Sequence, residues 1–308
     1  MLKQGNCIKR FTAVTTDKLE ANAGESFLIR GLYVAPETDN LFLSLKVDRK
    51  TVGAYRIYGK SGNHLDRINL GYTHKNLMEF LTSKDINCMI PVAEGQSFTV
   101  SSVGTSPVVV IVYDTYDAGD IRADMFNGTD SKEYMFIQYM DTSATVDATE
   151  TVELDTSLSP AEFPDFPCGK AVPANSEIEI LGLVGSPSGD GDSAAAYIGT
   201  TYVKMVKERE ILFDEDRQGI PFFYEPNETT SNYSAGFTLI APCVNVRPFT
   251  ELASMVHDAP LGDPLIFVPS LKFTSGEELL IYLSFVEVGV KTLGDRVDLA
   301  AIMYVKMS

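Results

Sequence analysis

Residues 90–113 constrain the fold more than any other part of the chain. A short apolar segment at residues 90–92 is followed by a turn and by residues 96–100, and a second turn leads to residues 108–113. The β-branched and aromatic residues of these runs, bounded by Gly, Pro and Ser, are typical of strands joined by turns. We therefore predict a leading apolar segment followed by a hairpin of two antiparallel strands.

The same order of elements recurs in the second half of the chain. A leader at residues 271–273, a run at residues 279–283 and a final run at residues 300–305 repeat the first pattern. Residues 174–183 also match residues 23–32 in register, and the matched pairs are Phe27 with Ile178, Ile29 with Ile180, Gly31 with Gly182 and Leu32 with Leu183. A repeated unit of more than about 100 residues indicates a duplicated domain.

These patterns predict an all-β chain of two tandem antiparallel domains, each a β-barrel or jelly-roll sandwich with one short helix. A length of 308 residues is enough for two cores. We place the first domain at residues 1–125 and the second, which has the longer loops, at residues 126–308. The helices are expected after Thr73 and after Thr250, where apolar residues fall on one helical face.

The net charge and the hydrophobicity of the chain exclude several classes of partner. Forty-two acidic residues against 25 basic ones give a formal charge of -17, and such a surface repels the phosphate backbone of nucleic acid. The first ten residues lack the apolar core of an export signal, and no run reaches the ~18 apolar residues of a membrane span. We therefore expect no nucleic-acid partner and no membrane partner.

The sequence contains no recognised catalytic or metal-binding motif. His64, His74 and His257 are scattered without the spacing of metal ligands, and the four cysteines lie far apart. Phosphate-binding loops and nucleophile elbows are also absent. We therefore expect no catalytic residue, no bound metal, no cofactor and no enzymatic activity.

Two acidic clusters leave a binding function open as the alternative. Asp114, Asp117 and Asp120 are spaced by three residues, and Asp190 and Asp192 lie in a loop rich in Ser and Gly. Calcium takes carboxylate oxygens in such loops, although neither cluster has the EF-hand pattern. The alternative is thus a calcium- or carbohydrate-binding β-sandwich module, in which tyrosine would have to replace the absent tryptophan as a platform for sugar rings.

Two nearly continuous apolar strands predict a covered outer face. In a sandwich with one wet face, strands alternate apolar and polar residues, yet residues 108–113 and 279–285 are almost entirely apolar. We take Val108, Val110 and Val112 to point into the core. A helix or the sister domain covers the outward face, or that face holds a homotrimer together. The outward residues are then Val109, Ile111, Tyr113, Leu280, Tyr282 and Val286.

The first ten residues form the most concentrated basic segment of an acidic chain. Lys3, Lys9 and Arg10 occur there without any acidic residue, and Ile8 offers an apolar contact. The segment precedes the first expected strand, at residues 11–16. We expect it either to be frayed or to dock on a neighbouring subunit, by adding a strand to an exposed sheet edge while its cations pair with carboxylates.

Two successive jelly-roll domains without a catalytic motif, in a chain with an acidic surface, resemble the tandem jelly-roll virion proteins. The resemblance covers nearly the whole chain, is architectural and includes no diagnostic motif. It is closest to the trimeric capsid-stabilising, or decoration, proteins of tailed bacteriophages. Double-barrel major capsid proteins and tail receptor-binding proteins also look similar.

The resemblance implies a structural virion protein that is made in the host cytoplasm. Such a protein sits as a homotrimer on the outer surface of the capsid and clamps subunits of the major capsid protein. On such a particle, we expect the basic arm of Lys3, Ile8, Lys9 and Arg10 to contact the capsid.

Overall fold

The structure is a computed structural model that describes residues 1–35, 41–58, 62–63, 77–103, 106–122, 125, 133–143, 151–158, 163–187, 200–213, 220–221, 223–224, 237–238, 264–285 and 297–307. It divides into two compact units, Met1–Ile137 with Tyr304–Met307, and Gln138–Met303. The predicted domain boundary, between residues 125 and 126, falls in the connection between the ninth and tenth strands.

The first unit contains nine strands and one short helix in its described part. Helix α1 is Leu77–Ser83 and buries Phe80 and Leu81, two of the residues that the sequence places on its apolar face. The strands are Leu2–Phe11 (β1), Thr16–Glu20 (β2), Glu25–Ala35 (β3), Leu41–Val47 (β4), Lys50–Tyr58 (β5), Gly62–Asn63 (β6), Ile90–Val92 (β7), Ser97–Val103 (β8) and Val108–Asp117 (β9).

Two antiparallel sheets give the first unit the topology of a jelly roll. One sheet has the order β1-β9-β3-β7 and the other has the order β2-β8-β4-β5-β6. Apart from the short β6, these are two four-stranded sheets whose eight strands form two Greek keys, as in the jelly roll. Buried residues of both sheets, such as Ile29, Val34, Leu45 and Phe98, form the core between them.

The remaining strands belong to the second unit, except that residues 133–137 of the first of them and residues 304–307 of the last fall in the first unit. They are Glu133–Asp141 (β10), Thr151–Glu153 (β11), Thr156–Ser157 (β12), Ser176–Pro187 (β13), Thr200–Lys207 (β14), Glu210–Phe213 (β15), Ile220–Pro221 (β16), Phe223–Tyr224 (β17), Phe237–Thr238 (β18), Leu265–Thr274 (β19), Leu279–Phe285 (β20) and Val297–Met307 (β21).

The second unit repeats the strand order of the first. Its sheets are β12-β10-β21-β13-β19 and β11-β20-β14-β15, so that β10, β21, β13 and β19 correspond to β1, β9, β3 and β7. The all-β fold of two antiparallel jelly-roll domains is thereby confirmed. Thr73 and the predicted second helix, after Thr250, lie outside the described residues. No helix in the described part of the chain is long and apolar enough to cross a membrane.

The glycines that the sequence matches between the halves occupy the same structural position. β3 shifts register between Ile29 and Gly31 in its pairing with β9. β13 shifts register between Ile180 and Gly182 in its pairing with β19. A bulge at a strand glycine re-aims the residues that follow it, so both units bend the same strand at the same place.

Three turns at one end of each unit also correspond. Each turn contains a residue with positive φ, and the matched pairs are Gly24 (82°) with Asn175 (60°), Asp48 (52°) with Glu208 (56°), and Gly95 (80°) with Gly276 (87°). The Gly95 N–H donates to Ala21 O and the Gly276 N–H donates to Val172 O, both at 2.9 Å. The two units therefore share backbone geometry and hydrogen bonds as well as strand order.

Two expectations about strands are wrong. The runs at residues 96–100 and 108–113 do not form a hairpin, because β8 pairs with β2 and β4 whereas β9 pairs with β1 and β3. The connection between them crosses from one sheet to the other. The first strand does not cover residues 11–16 either, since β1 ends at Phe11 and Ala13 has a φ of 58°, within the turn to β2.

Candidate functional site

β1 contains the predicted basic arm and lies at the edge of its sheet. All of its residues except Cys7 and Phe11 are exposed, and Ile8 is 69% exposed. The ammonium group of Lys9 lies 5.6 Å from the centroid of the Phe11 ring. The arm thus adds a strand to a sheet of its own unit, and its outer edge remains without a partner strand among the described residues.

A buried carboxylate anchors the irregular first half of β1. The N–H of Asn6, which has a φ of 55°, donates to Asp114 Oδ1 at 2.7 Å. Arg30 Nε lies 3.0 Å from Asp114 Oδ2, and Arg30 Nη2 donates to Asn6 Oδ1 at 2.5 Å. The Asp114 side chain is only 9% exposed, so the guanidinium supplies the charge compensation that a buried carboxylate needs.

Two more carboxylates, at the end of β9 and in the turn that follows it, form ion pairs with the beginning of the chain. Lys3 Nζ lies 3.5 Å from Asp117 Oδ1, and the amino group of Met1 contacts both Asp117 and Asp120. The hydrogen bond from that amino group lowers the pKa of Asp117, and Lys3 adds to the effect. Asp114, Asp117 and Asp120 therefore each have a cation of the same chain as partner.

Two residues of β9 that we expect to point outward point into the core instead. Val109 and Ile111, which we expect to point outward, are fully buried and lie opposite buried residues of β3. The prediction for these two residues is wrong because an unbroken valine run contains no polar residue that marks the wet side. Tyr113 is half-buried, and its ring centroid lies 5.5 Å from that of the buried Phe27.

The outer face of the β1-β9-β3 sheet is apolar with one cation at its edge. Arg10, Val110 and Tyr33 lie side by side across the three strands, and Ile8 and Val112 form the next row. Tyr33 Cε2 would lie 3.2 Å from a Cβ built on Gly31, so the ring covers this glycine. We call this surface the first outer face; it consists of Ile8, Arg10, Tyr33, Val108, Val110 and Val112.

The second unit has a comparable surface on its β11-β20-β14 sheet. Leu280 and Tyr282 are half-buried and alternate with buried residues of β20. Glu153, Tyr282 and Lys204 lie side by side across the sheet, and Lys204 Nζ lies 6.0 Å from the Tyr282 ring centroid. We call this surface the second outer face; it consists of Glu153, Lys204, Val206, Leu280 and Tyr282. Val286 lies outside the described residues.

Glu153 is a half-buried carboxylate on the edge strand β11. Its burial raises the pKa of its carboxyl, and the charge of Asp155 raises it further. Burial and the charge of Glu153 also raise the pKa of Tyr282. No ion pair to Glu153 is found within the part of the chain that the structure describes. Glu153 therefore places a carboxylate that is partly removed from water on the second outer face, beside Tyr282 and in the same row as Lys204.

Two of the cysteines are structural. Cys88 is buried, and its burial raises the pKa of the thiol to about 11. Cys168 is also buried, accepts a hydrogen bond from Gln138 Nε2 at 3.5 Å and has its pKa raised to about 12 by burial. A thiol that stays protonated at neutral pH is a poor nucleophile and a poor metal ligand.

No metal site is found among the described residues. In that part of the chain, no group of three or more His, Cys, Asp or Glu side chains is placed to hold a metal ion. The other candidates that the sequence offers, which are His64, His74, His257, Asp190 and Asp192, lie outside the described residues.

Sequence reasoning does not find two of the charges that matter here. Arg30 interrupts the apolar run from Phe27 to Val34 and precedes Gly31, so a charged residue beside a bulge glycine is the signal for its ion pair. Glu153 gives no such signal. It lies in a three-residue strand within a segment whose Thr, Asp and Pro content indicates a connector.

Comparison with known proteins finds similarity only to solved structures. No family model and no curated protein matches the chain. A crystal structure of peptide-N(4)-(N-acetyl-β-D-glucosaminyl)asparagine amidase matches with 9% identity and a TM-score of 0.30, over 99% of this chain and 96% of that one. A recombinant PNGase F matches with 10% identity and a TM-score of 0.30, over 99% and 95% of the two chains. Likeness at this level assigns neither a substrate nor an activity.

The expectation that the chain is not an enzyme is corrected by this comparison. The similar structures are those of an amidase, which is an enzyme. The expectation depends only on the absence of a recognised motif, and catalytic groups can come from distant strands without one. The expectation is therefore withdrawn.

Proposed function

We propose that the chain is a structural virion protein that binds the outside of a capsid as a homotrimer and clamps neighbouring major capsid subunits. The observation that carries the proposal is the presence of two complete jelly rolls with one strand order in a single chain. A jelly roll is a rigid sandwich with two sheet faces and two loop ends, which suits side-by-side packing in a shell. A closed symmetric assembly repeats the same contact between each pair of neighbouring copies.

The edge of β1 supplies a surface for the contact with the capsid. A strand at a sheet edge presents unpaired N–H and C=O groups, to which an extended segment of another protein can add. Lys9 is exposed on this strand and forms no ion pair within the described residues. A chain of charge -17 needs local positive charge to dock on an acidic shell. Lys3 contributes less, because it is paired with Asp117.

A double-barrel major capsid protein is the second candidate. The observation that favours it is that both units have the same strand order, glycine bulges and turns. Three copies of such a chain contain six similar jelly rolls. A trimer of this kind can occupy a lattice position that has six neighbours. This candidate shares the trimer with the first one and differs in whether the chain builds the shell or binds to it.

The test is reconstitution with particles of the source that have been stripped of this protein. We expect the purified chain to be a trimer by light scattering and to bind the stripped particles at saturable sites seen by cryo-electron microscopy. Lys9→Glu should weaken this binding, more strongly at low salt, while the trimer persists. Lys18→Glu is the matched control, since Lys18 is exposed on β2 in the other sheet.

The outcomes separate the candidates. Empty shells formed by the chain alone would favour the double-barrel major capsid protein. A chain that neither binds stripped particles nor forms shells would contradict both candidates. Binding to a glycan array or calcium-dependent melting, together with that negative result, would favour the carbohydrate- or calcium-binding alternative.

A further inference from the structure

The first outer face carries an exposed cation without an acidic partner. Arg10 is exposed on the edge strand β1 and forms no ion pair among the residues that the structure describes. Beside it in the same row lie Val110 and Tyr33, and the adjacent row contains Ile8 and Val112. Residues directly opposite each other in neighbouring strands project to the same side of a sheet. The guanidinium therefore borders an apolar surface.

The second outer face has a similar layout, with an acidic residue in place of Arg10 on its edge strand and with a lysine in the same row. Glu153 lies on the edge strand β11, and Tyr282 and Lys204 follow it in the same row. The adjacent row contains Leu280 and Val206, which are half-buried. A carboxylate on the edge strand thus borders the half-buried side chains of Leu280 and Tyr282.

We propose that the first outer face of one copy packs on the second outer face of the next copy, with Arg10 paired to Glu153. This inference rests on the homotrimer of the proposed function. A cyclic trimer is held by a heterologous contact, in which two different surfaces of the chain meet. Repetition of the contact closes a ring when the rotation between neighbouring copies returns to the first copy after three steps, and it gives an open filament otherwise.

Charge complementarity is the reason for choosing a second copy as the occupant. Copies of a chain with a charge of -17 repel each other, so they can associate only where the sign is locally reversed. The first outer face contains no acidic residue. The second outer face contains Glu153, whose pKa is raised by burial and by the charge of Asp155, and this carboxylate forms no ion pair among the described residues.

The rows of the two faces also match residue by residue. When two sheets pack with their strands nearly aligned and Arg10 lies opposite Glu153, Val110 meets Tyr282 and Tyr33 meets Lys204. The first of these contacts buries an apolar pair, and the second places an ammonium group against an aromatic ring. Lys204 therefore does not oppose the contact, since the residue that faces it is aromatic and not cationic.

Lys9 and Arg10 are neighbours in β1, but their side chains lie on opposite sides of the strand and can therefore have separate roles. Side chains alternate between the two faces of a strand, so Lys9 and Arg10 point to opposite sides of β1. We assign Arg10 to the contact between copies, whereas Lys9 and the main-chain edge stay available to the capsid. Trimer formation and capsid binding can therefore be disrupted by different substitutions.

The test is a charge swap in the full chain, read by light scattering and sedimentation over a range of concentrations. Arg10→Glu and Glu153→Arg should each weaken self-association by about tenfold or more, because each places like charges opposite one another. The double variant should recover most of the wild-type association, since the pair is then restored with reversed sign. Recovery in the double variant is the result that a general loss of folding cannot produce.

The controls change the same charges elsewhere on the surface. Arg49→Glu and Glu177→Arg alter exposed residues of a turn and of another sheet, and both should leave the trimer intact. Circular dichroism and thermal melting report folding for every variant. If either charge variant fails to fold, Arg10→Ala and Glu153→Gln replace it, with the same expectation of weaker association.

Two results would overturn the inference. One is a wild-type trimer that Arg10→Glu and Glu153→Arg leave unchanged, in which case the trimer is held by other surfaces and the proposed function is untouched. The other is a wild-type chain that remains monomeric at all concentrations. A monomeric chain would also contradict the homotrimer of the proposed function, and binding of that chain to stripped particles would then decide only whether it contacts the capsid.

Discussion

Arg30 Nε lies 3.0 Å from Asp114 Oδ2, and this ion pair ties the bulge of β3 to β9. Asp114 also accepts the N–H of Asn6 at 2.7 Å. One carboxylate therefore satisfies a guanidinium and a backbone donor from two different strands. Removing the charge of Asp114 leaves the Arg30 guanidinium without its counter-ion and weakens the hydrogen bond from the Asn6 N–H, both beside a buried site.

Asp114→Asn should loosen the first half of β1. The amide cannot compensate Arg30, so we expect the free energy of unfolding to fall by about 1–3 kcal/mol. Amide hydrogen exchange should rise at residues 2–8 and stay unchanged in β4 and β5. Glu20→Gln, at an exposed position, is the control. Unchanged exchange throughout β1 would show that Asp114 does not anchor the strand.

Neighbouring residues of β9 should respond very differently to truncation. Ile111 is fully buried, so Ile111→Ala should cost about 2–5 kcal/mol of stability. Val110 is half-buried on the other side of the strand, so Val110→Ala should cost less than about 1 kcal/mol in the monomer. Denaturant titration below the concentration of self-association measures both. Equal losses of stability in the two variants would contradict the orientation of β9, in which Ile111 faces the core and Val110 faces outward.

The equivalent glycines of the two units should differ in their tolerance of a side chain. A Cβ on Gly182 would lie 2.2 Å from Leu265 O, a backbone atom of the paired strand. A Cβ on Gly31 would lie 3.2 Å from Tyr33 Cε2, a side-chain atom that can move. We expect Gly182→Ala to cost about 1–3 kcal/mol and Gly31→Ala to cost less. Thermal melting of both variants checks this, and the opposite order would be inconsistent with the β13–β19 register.

The buried thiols should be silent toward thiol reagents in the native protein. The pKa values of Cys88 and Cys168 are raised to about 11 and about 12 by burial, so almost no thiolate forms at pH 8. Cys7 is half-buried on the edge strand and should be labelled first. Mass-spectrometric mapping after a short exposure to an alkylating reagent, with and without denaturant, distinguishes the sites. Native labelling of Cys88 or Cys168 as fast as Cys7 would contradict the packing.

Glu277 should give the second unit an acid-sensitive contribution to stability. Its carboxylate accepts the N–H of Thr274 at 2.5 Å and lies 3.0 Å from Lys207 Nζ, and these contacts lower its pKa. A lowered carboxyl pKa stabilises the fold above the unfolded value of about 4.3, and this stability is lost as the pH falls through the folded value.

Glu277→Gln tests this sign directly. At pH 7 the variant should be less stable by less than about 1 kcal/mol, because the pair is half-buried at the surface and solvent screens it. The difference from the wild type should shrink as the pH falls below about 4. Gln96 accepts the N–H of Ala93 at the equivalent turn of the first unit, so the substitution suits the geometry. A stability difference that is constant from pH 7 to pH 3 would rule out the carboxylate as its cause.

The sequence by itself determines that this chain is a duplicated all-β protein. Strands are marked by runs of β-branched and aromatic residues between turn residues, and these signals are local. The equivalence of Gly31 and Gly182 is also visible in the sequence, since each glycine has similar neighbours in its own half of the chain. The helix at Leu77–Ser83 follows from the spacing of its apolar residues.

Only the tertiary structure decides which strands pair and which side of each strand is wet. β8 and β9 follow each other in the chain yet belong to different sheets, because the crossover depends on contacts far apart in sequence. The orientation of Val109 and Ile111 depends on the strands beside them, since an apolar run carries no period that separates its two sides. The ion pair of Arg30 with Asp114 joins residues 84 positions apart, and no local pattern specifies such a contact.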